Sequence, residues 1–403
     1  MQQITVPFSP PRIDAHTIAA VTKVLQSGWI TSGPQTQGFE QDIEAYIGGA
    51  PVIALNSWTN ACELVLRWFG VGEGDEVILP AYTYCATANI VKHLGATPVL
   101  VDSNESDCWI SLEGIRKAIT PRTKVIMPVD IAGNPIDYDG IHAIIEAARS
   151  HFRPQGENQK ALGRILFLSD AAHSFGASYK GKPVGMQADV TGYSFHAVKN
   201  LTTAEGGAVV FNLPAPFENE ALKGRFKISS LHGQTKDALS KSKAGAWRYD
   251  VIEAGYKCNM TDLHAAIGRV ELKRYAETLA FRKMVCIRYT EAFSKHKVFA
   301  PPVFVVDGNE SSYHLYLLRL NGYSETQRDA VITKLAEANI SANVHFQPLP
   351  LLTYYKNLGY KMGDYPNAFA AYENEISLPV WYGMSDEMLD YVIEQVEKAV
   401  SSL

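Results

Sequence analysis

The 403-residue chain is poor in several things, and each shortage excludes something. It has five cysteines (Cys62, Cys85, Cys108, Cys258, Cys286), scattered and odd in number, with no C-x-x-C pair. That spacing suits neither metal ligation nor redox exchange, so the thiols read as free in a reducing compartment and no metal is expected. No apolar run approaches a membrane span. The first residues lack a basic stretch followed by an apolar one, so they do not read as a signal peptide, and a cytoplasmic location is expected. Positive charge is not in excess: 37 Lys+Arg stand against 42 Asp+Glu, a net charge of −5. Such a chain has no global pull toward nucleic acid or anionic membrane, so a polyanionic ligand must be met by a local site. No G-x-G-x-x-G follows an early strand, which argues against a dinucleotide-dependent dehydrogenase. There is no internal repeat. With 46% hydrophobic residues the chain is not disordered, and its length predicts two domains.

What is present is an alternation. Short apolar, often β-branched runs at 51–55, 76–79, 97–101, 123–129, 165–169, 190–195 and 208–211 read as strands. Helical periodicity occupies 59–69, 83–94, 112–119 and 136–150; Ala61, Leu64, Val65 and Trp68 share one face. Strands separated by helices predict a mostly parallel sheet covered on both faces, with ligands at the carboxyl ends of its strands. Residues 236–246, rich in Lys, Ser and Gly, read as a loop suited to covering an active site. A long helical pattern over 261–293 leads to a smaller α/β unit with a helix near 325–338, a strand near 341–346 and a C-terminal helix from Asp386. The polar stretch 151–163 reads as a surface insertion.

Three strand ends carry candidate chemistry. Asn56-Ser57-Trp58-Thr59-Asn60 joins a strand to a helix, where free N–H groups and hydroxyls suit a phosphate; a plain N-cap would look the same. Asp170 ends an apolar run, where a carboxylate is costly unless a cation or hydrogen bonds meet it; a helix cap is the rival reading. In Tyr193-Ser194-Phe195-His196-Ala197-Val198-Lys199-Asn200, Ser194 and His196 share one side of a strand and Lys199 lies just past its end. A lone loop lysine is ordinarily a solvated charge. Beside a buried carboxylate and a phosphate cradle it becomes a candidate Schiff-base lysine, its amine driven toward the neutral form by burial or nearby cations. Together these parts suggest pyridoxal 5′-phosphate (PLP): a cradle for its phosphate, an acid for its ring nitrogen and a lysine for its aldehyde.

These segments also carry a resemblance. With Ser27-Gly28-Trp29-Ile30-Thr31-Ser32-Gly33-Pro34, Gly74-Asp75-Glu76-Val77-Ile78-Leu79-Pro80, Asp170-Ala171-Ala172-His173, Ala204-Glu205-Gly206-Gly207 and Gly255-Tyr256-Lys257-Cys258-Asn259-Met260-Thr261-Asp262, the chain resembles the DegT/DnrJ/StrS family of PLP-dependent nucleotide-sugar aminotransferases. The resemblance covers nearly the whole chain, and the most similar branch aminates UDP-4-keto sugars. It implies an aspartate-aminotransferase-like fold (fold type I), with a large PLP-binding domain over 1–258 and a smaller C-terminal domain over 259–403. It implies that Lys199 forms the Schiff base, Asp170 binds the ring nitrogen and His173 lies near the phenolic oxygen. Trp58, Thr59 and Ser194 would hold the phosphate and Tyr84 would stack on the ring. Asn259 would reach the phosphate of a neighbouring subunit, making the protein a homodimer with shared sites. L-Glutamate would be the amino donor. Trp29, Thr31, Tyr256 and His345 are candidates for contacting the nucleotide sugar; a plain surface turn around Trp29–Ser32 and a structural strand-end histidine at His345 are the rival readings.

The chain departs from that pattern in places. Trp58 stands where relatives carry Gly or Ala, Asn60 where they carry Ala, Ser169 where Glu is frequent, and Asp130 where His is frequent. A related 3-dehydratase branch has His at the lysine position; Lys199 favours transamination. Amination at C3 rather than C4, and a non-catalytic PLP-fold binding or regulatory protein, are the competing expectations.

Overall fold

The computed structural model describes residues 4–105, 107–236 and 247–403. Most of the loop expected at 236–246 lies outside the described residues. Seven strands form the large sheet: β1 (Val52–Leu55), β2 (Glu76–Pro80), β3 (Thr97–Val101), β4 (Thr123–Ile126), β5 (Leu166–Asp170), β6 (Val190–Ser194) and β7 (Gly207–Phe211). Their spatial order is β1-β7-β6-β5-β4-β2-β3. Only β7 runs against its neighbours. That reversal brings the start of β7 to the edge where β1 and β6 end, and Gly207 pairs with both Leu55 and Ser194.

Strands β1, β2, β4, β5 and β7 are buried at every position, as a sheet covered on both faces requires. Helix Trp58–Trp68 lays Ala61, Cys62, Leu64 and Val65 against it; burying a side chain the size of Leu or Val contributes roughly 1.5–3 kcal/mol. A second, antiparallel sheet joins Phe299–Ala300, Tyr316–Leu320 and Glu375–Leu378. Around it Val285, Tyr289, Phe293, Leu318, Leu389 and Val396 form a separate core. Val6 belongs to that core and bridges Ile340, so the start of the chain packs with its last third.

Two local expectations are corrected. The helix expected over 261–293 is two, Asp262–Lys273 and Tyr275–Phe293. Arg274 breaks it at φ −111° and ψ 12°, its guanidinium turned to Asp14, Glu271 and the Arg12 carbonyl. The strand expected near 341–346 forms only one bridge, Asn343 to Ser377. The His345 N–H donates instead to the Glu375 carboxylate at 3.0 Å, which takes this segment out of strand pairing. The polar stretch 151–163 lies mostly at the surface, as expected, and is anchored there by helix Glu157–Leu162, which buries Gln159 and Leu162. Asn158 Nδ2 and Gln159 Nε2 donate to the carbonyls of Trp68 (2.6 Å) and Phe69 (3.0 Å), satisfying the open end of helix Trp58–Trp68. No helix among the described residues is long and apolar enough to cross a membrane.

Candidate active site

A cavity of about 380 Å³ opens at the carboxyl edge of the large sheet. Its floor begins with the turn after β1. Ser57 caps helix Trp58–Trp68, its hydroxyl accepting the Asn60 N–H at 3.1 Å. The N–H groups of Trp58 and Thr59 belong to the first turn and have no carbonyl one turn back to bond, so they are available to an anion, favoured also by the helix dipole. Gly207 makes room for this turn: a Cβ there would lie 2.2 Å from Trp58 N and 2.4 Å from Ser57 C. Ser194, paired with Gly207 across β6 and β7, lines the same cavity.

Asp170 ends β5 and is 4% exposed. Thr87 Oγ1 donates to its Oδ2 at 2.9 Å, and the Ala172 N–H donates to Oδ1 at 3.2 Å. Thr83 Oγ1 stands 3.0 Å from Thr87 Oγ1, extending the chain of hydroxyls. Burial pushes the Asp170 carboxyl up from 3.8 to about 7, against the pull of Thr87, Ala172 and Lys199. Lys199 follows a turn in which its N–H donates to the His196 carbonyl at 2.9 Å. Burial lowers its amine from 10.5 to about 8, and the Asp170 charge opposes that fall. The same dry environment therefore keeps an acid and a base both near neutrality.

Three histidines complete the wall. Burial holds His173 and His314 well below the usual imidazole value and His345 at about 4, the Lys199 charge adding to each. All three are neutral. His173 Nδ1 accepts the Ala132 N–H at 3.2 Å, which leaves the ring proton on Nε2. His173 stacks on Phe346 with centroids 5.7 Å apart, and His314 lies 4.5 Å from His173, tied to Asn200 Oδ1 at 2.9 Å.

Of the residues singled out in the sequence, Trp58, Thr59, Tyr84, Asp170, His173, Ser194, Lys199 and His345 line this one cavity. Tyr84 stands at its mouth, 59% exposed. Trp29, Thr31, Tyr256 and Asn259 do not line it in a single chain. The Trp29 indole donates to the Ser32 carbonyl at 3.1 Å, Thr31 accepts the Asp262 N–H through its carbonyl, Tyr256 lies under Arg67 and Asn259 Nδ2 donates to Ser32 Oγ at 2.6 Å. Of the departures from the family pattern, Asp130 lies behind the cavity, held by Tyr138 Oη at 2.7 Å and the Ile136 N–H at 3.0 Å, with burial raising its carboxyl to about 6. Sequence reasoning missed Thr87, His314 and Phe8. Thr87 lies one helical turn beyond Tyr84 and could have been placed from that spacing; His314 and Phe8 are far away in sequence and carry no local signal.

These residues fit PLP. The cradle is spaced by a glycine that no other residue can replace without a clash, and the cavity holds both a lysine whose pKa burial lowers and an aspartate whose pKa burial raises. Trp58, in the same lining, keeps a buried indole Nε1 with no protein partner.

Comparison with known proteins agrees. The DegT/DnrJ/EryC1/StrS aminotransferase family matches residues 11–397. The spore coat polysaccharide biosynthesis protein SpsC of Bacillus subtilis is 38% identical over 399 residues, 98% of this chain and 97% of that one. Spr1654 of Streptococcus pneumoniae, described as a sugar aminotransferase and solved in a PMP form, has a TM-score of 0.95 at 46% identity, covering 98% of this chain and 99% of its own. It is also solved in a PLP form. Helicobacter pylori PseC, an aminotransferase involved in the biosynthesis of pseudoaminic acid, has a TM-score of 0.86 at 26% identity, covering 99% and 100%. Since the match runs almost end to end, the chain belongs to the DegT/DnrJ/EryC1/StrS aminotransferase family, with PLP as its cofactor.

Proposed function

We propose that the protein moves an amino group from L-glutamate to a keto nucleotide-sugar, a UDP-4-keto-6-deoxyhexose or a close analogue, on the way to a cell-surface polysaccharide precursor. The observation that carries the reaction class is the pairing of Lys199 and Asp170 around one cavity, the amine lowered to about 8 and the carboxyl raised to about 7. The sugar class is supported by SpsC, a polysaccharide biosynthesis protein, and by Spr1654, described as a sugar aminotransferase.

Bound PLP supplies an electron sink for charge at the carbon that bears nitrogen. Ser57-Trp58-Thr59, Ser194 and the gap at Gly207 hold its phosphate. Asp170 meets the ring nitrogen, and a cation there draws the carboxyl into its ionised form, which in turn keeps that nitrogen protonated. Lys199 Nζ takes the proton from the donor's Cα, since an amine near 8 has an appreciable neutral fraction at pH 7. In the second half the same Nζ returns a proton to the sugar carbon. Glutamate leaves as 2-oxoglutarate and the keto group becomes an amine. His173, with its proton on Nε2, offers a donor on the cofactor side of the cavity, while Phe8, Phe346 and Val380 exclude water from it.

The protein works as a cytoplasmic homodimer in this reading. Trp29, Thr31, Tyr256 and Asn259 then complete the partner's site, and the exposed apolar side chains Trp247, Val251 and Ile252 belong to the interface. A panel of keto nucleotide-sugars with glutamate as donor tests the assignment, with 2-oxoglutarate measured and the product read by NMR. One 2-oxoglutarate per amino sugar, with nitrogen at C4, supports it. Nitrogen at C3 moves the assignment to a 3-keto substrate, and no 2-oxoglutarate with any sugar contradicts the enzyme reading.

A further inference from the structure

Strand Glu375–Leu378 carries two buried polar side chains that the reaction above leaves unused, Glu375 and Ser377. Two residues apart on a strand, they face one side. Ser377 Oγ lies 2.6 Å from Glu375 Oε1 and 2.9 Å from His345 Nδ1. The His345 N–H donates to Glu375 Oε2 at 3.0 Å, and Tyr82 Oη donates to the His345 carbonyl at 2.6 Å. Phe8 stacks on the imidazole with centroids 5.4 Å apart. The ring is thus fixed from several directions, Nδ1 is taken, and Nε2 is the nitrogen left to meet a ligand in the cavity that His345 shares with Lys199.

Proton counting decides what Nε2 presents. A serine hydroxyl carries one proton, and a neutral imidazole carries one. When Glu375 is ionised it only accepts, so Ser377 donates to it and takes a hydrogen bond from His345 Nδ1–H; Nε2 is then a bare acceptor. When Glu375 is protonated on Oε1 it donates to Ser377, Ser377 donates to Nδ1, and Nε2 carries the ring proton. The imidazole stays neutral throughout; two hydrogen bonds reverse direction and its proton changes nitrogen. We propose that Glu375 and Ser377 are positioning residues that switch His345 Nε2 between donor and acceptor, and that the donor form holds an oxygen acceptor, carbonyl or phosphoryl, of the amino-acceptor substrate.

The surroundings set the switch near neutral pH. Burial raises the Glu375 carboxyl to about 8, against Ser377, the His345 N–H and Arg328. The groups around Glu375 are Arg328, which donates to its carbonyl at 3.0 Å, Arg319 opposite it on the neighbouring strand, Tyr82 and Cys108. Around His345 stand Lys199, His173 and His314, and its own value of about 4 keeps it neutral. The donor form is therefore the one present at pH 7, and it gives way as the pH rises through about 8.

The inference rests on the cavity being the sugar site, but its first test needs no turnover. Two-bond proton–nitrogen NMR of the cofactor-loaded protein, labelled on histidine, reads the His345 tautomer directly. Wild type is expected to change from Nε2–H to Nδ1–H between about pH 6 and about pH 10. Glu375→Gln, whose amide always donates to Ser377, is expected to stay Nε2–H throughout. Ser377→Ala should lose the pH-linked change with Glu375 intact, and Ser377→Thr should restore it. Over the same interval KM for the amino acceptor should rise at least threefold in wild type and stay flat in Glu375→Gln, with KM for the donor unchanged in both. One tautomer at every pH in wild type, or the same titration in Glu375→Gln, overturns the switch. A tautomer change with no change in acceptor KM overturns the substrate role and leaves the aminotransferase assignment standing.

Discussion

In the proposed site, Asp170→Asn removes the charge that would face the cofactor's ring nitrogen. Asn keeps the shape of the side chain and can still accept from Thr87, but it carries no charge. Burial lifts the Asp170 carboxyl from 3.8 to about 7, so about 4 kcal/mol separates its ionised form here from the same form in water. A protonated ring nitrogen must offset that cost, and the pair then acts on charge that develops during the reaction. Losing a single charge-assisted hydrogen bond costs roughly 1.5–3 kcal/mol, and losing the whole offset costs about 4 kcal/mol, so kcat should fall between about 10-fold and about 1000-fold. The assay is the half-reaction with glutamate, followed by stopped flow at the visible band of the bound cofactor, with cofactor affinity titrated separately. Lys199 is untouched, so the band should still form. A kcat within threefold of wild type at saturating cofactor refutes the reasoning, because Asp170 would then contribute nothing beyond shape.

Lys199→Ala should abolish both the visible absorbance of bound cofactor and turnover, read by spectrophotometry and 2-oxoglutarate release. Gly207→Ala puts a Cβ 2.2 Å from Trp58 N; the helix start must shift, and cofactor affinity should fall about tenfold or more while Tm falls by only a few degrees. Thr87→Val removes a donor to Asp170, and kcat should fall about tenfold, the loss of one hydrogen bond to a charged group. The cofactor-free protein should lose thermal stability between about pH 4 and about pH 7. Asp170 is raised in the folded state, so its contribution is complete below its unfolded value of 3.8 and disappears as the pH rises through about 7. Asp170→Asn should flatten that decline, measured by calorimetry across the range.

The large sheet was legible because its strands are short, apolar and punctuated by helical periodicity, and the positions of Asp170 and Lys199 follow from strand ends. The direction of β7 was not, since a short apolar run looks alike in either orientation, yet that reversal is what brings Gly207 against the turn that opens helix Trp58–Trp68. The break at Arg274 was hidden because the apolar pattern continues on both sides, and the break depends on partners far away at Asp14 and Arg12. Gln159 reads as polar surface until the carbonyls of Phe69 and Gly70 appear above it. Around the site, His314 and Phe8 arrive from opposite ends of the chain, and the Glu375–Ser377–His345 chain depends on a strand meeting a bent segment. Such meetings are set by tertiary packing and leave no spacing in the sequence.

The whole proposed reaction turns on Lys199 carrying the cofactor in this cavity. Borohydride reduction of the PLP-loaded protein, followed by peptide mass mapping, tests it most directly. A single cofactor adduct per chain is expected, on Lys199, and none in Lys199→Ala. An adduct on another lysine, or a wild-type protein that binds PLP and yields no adduct, would contradict it.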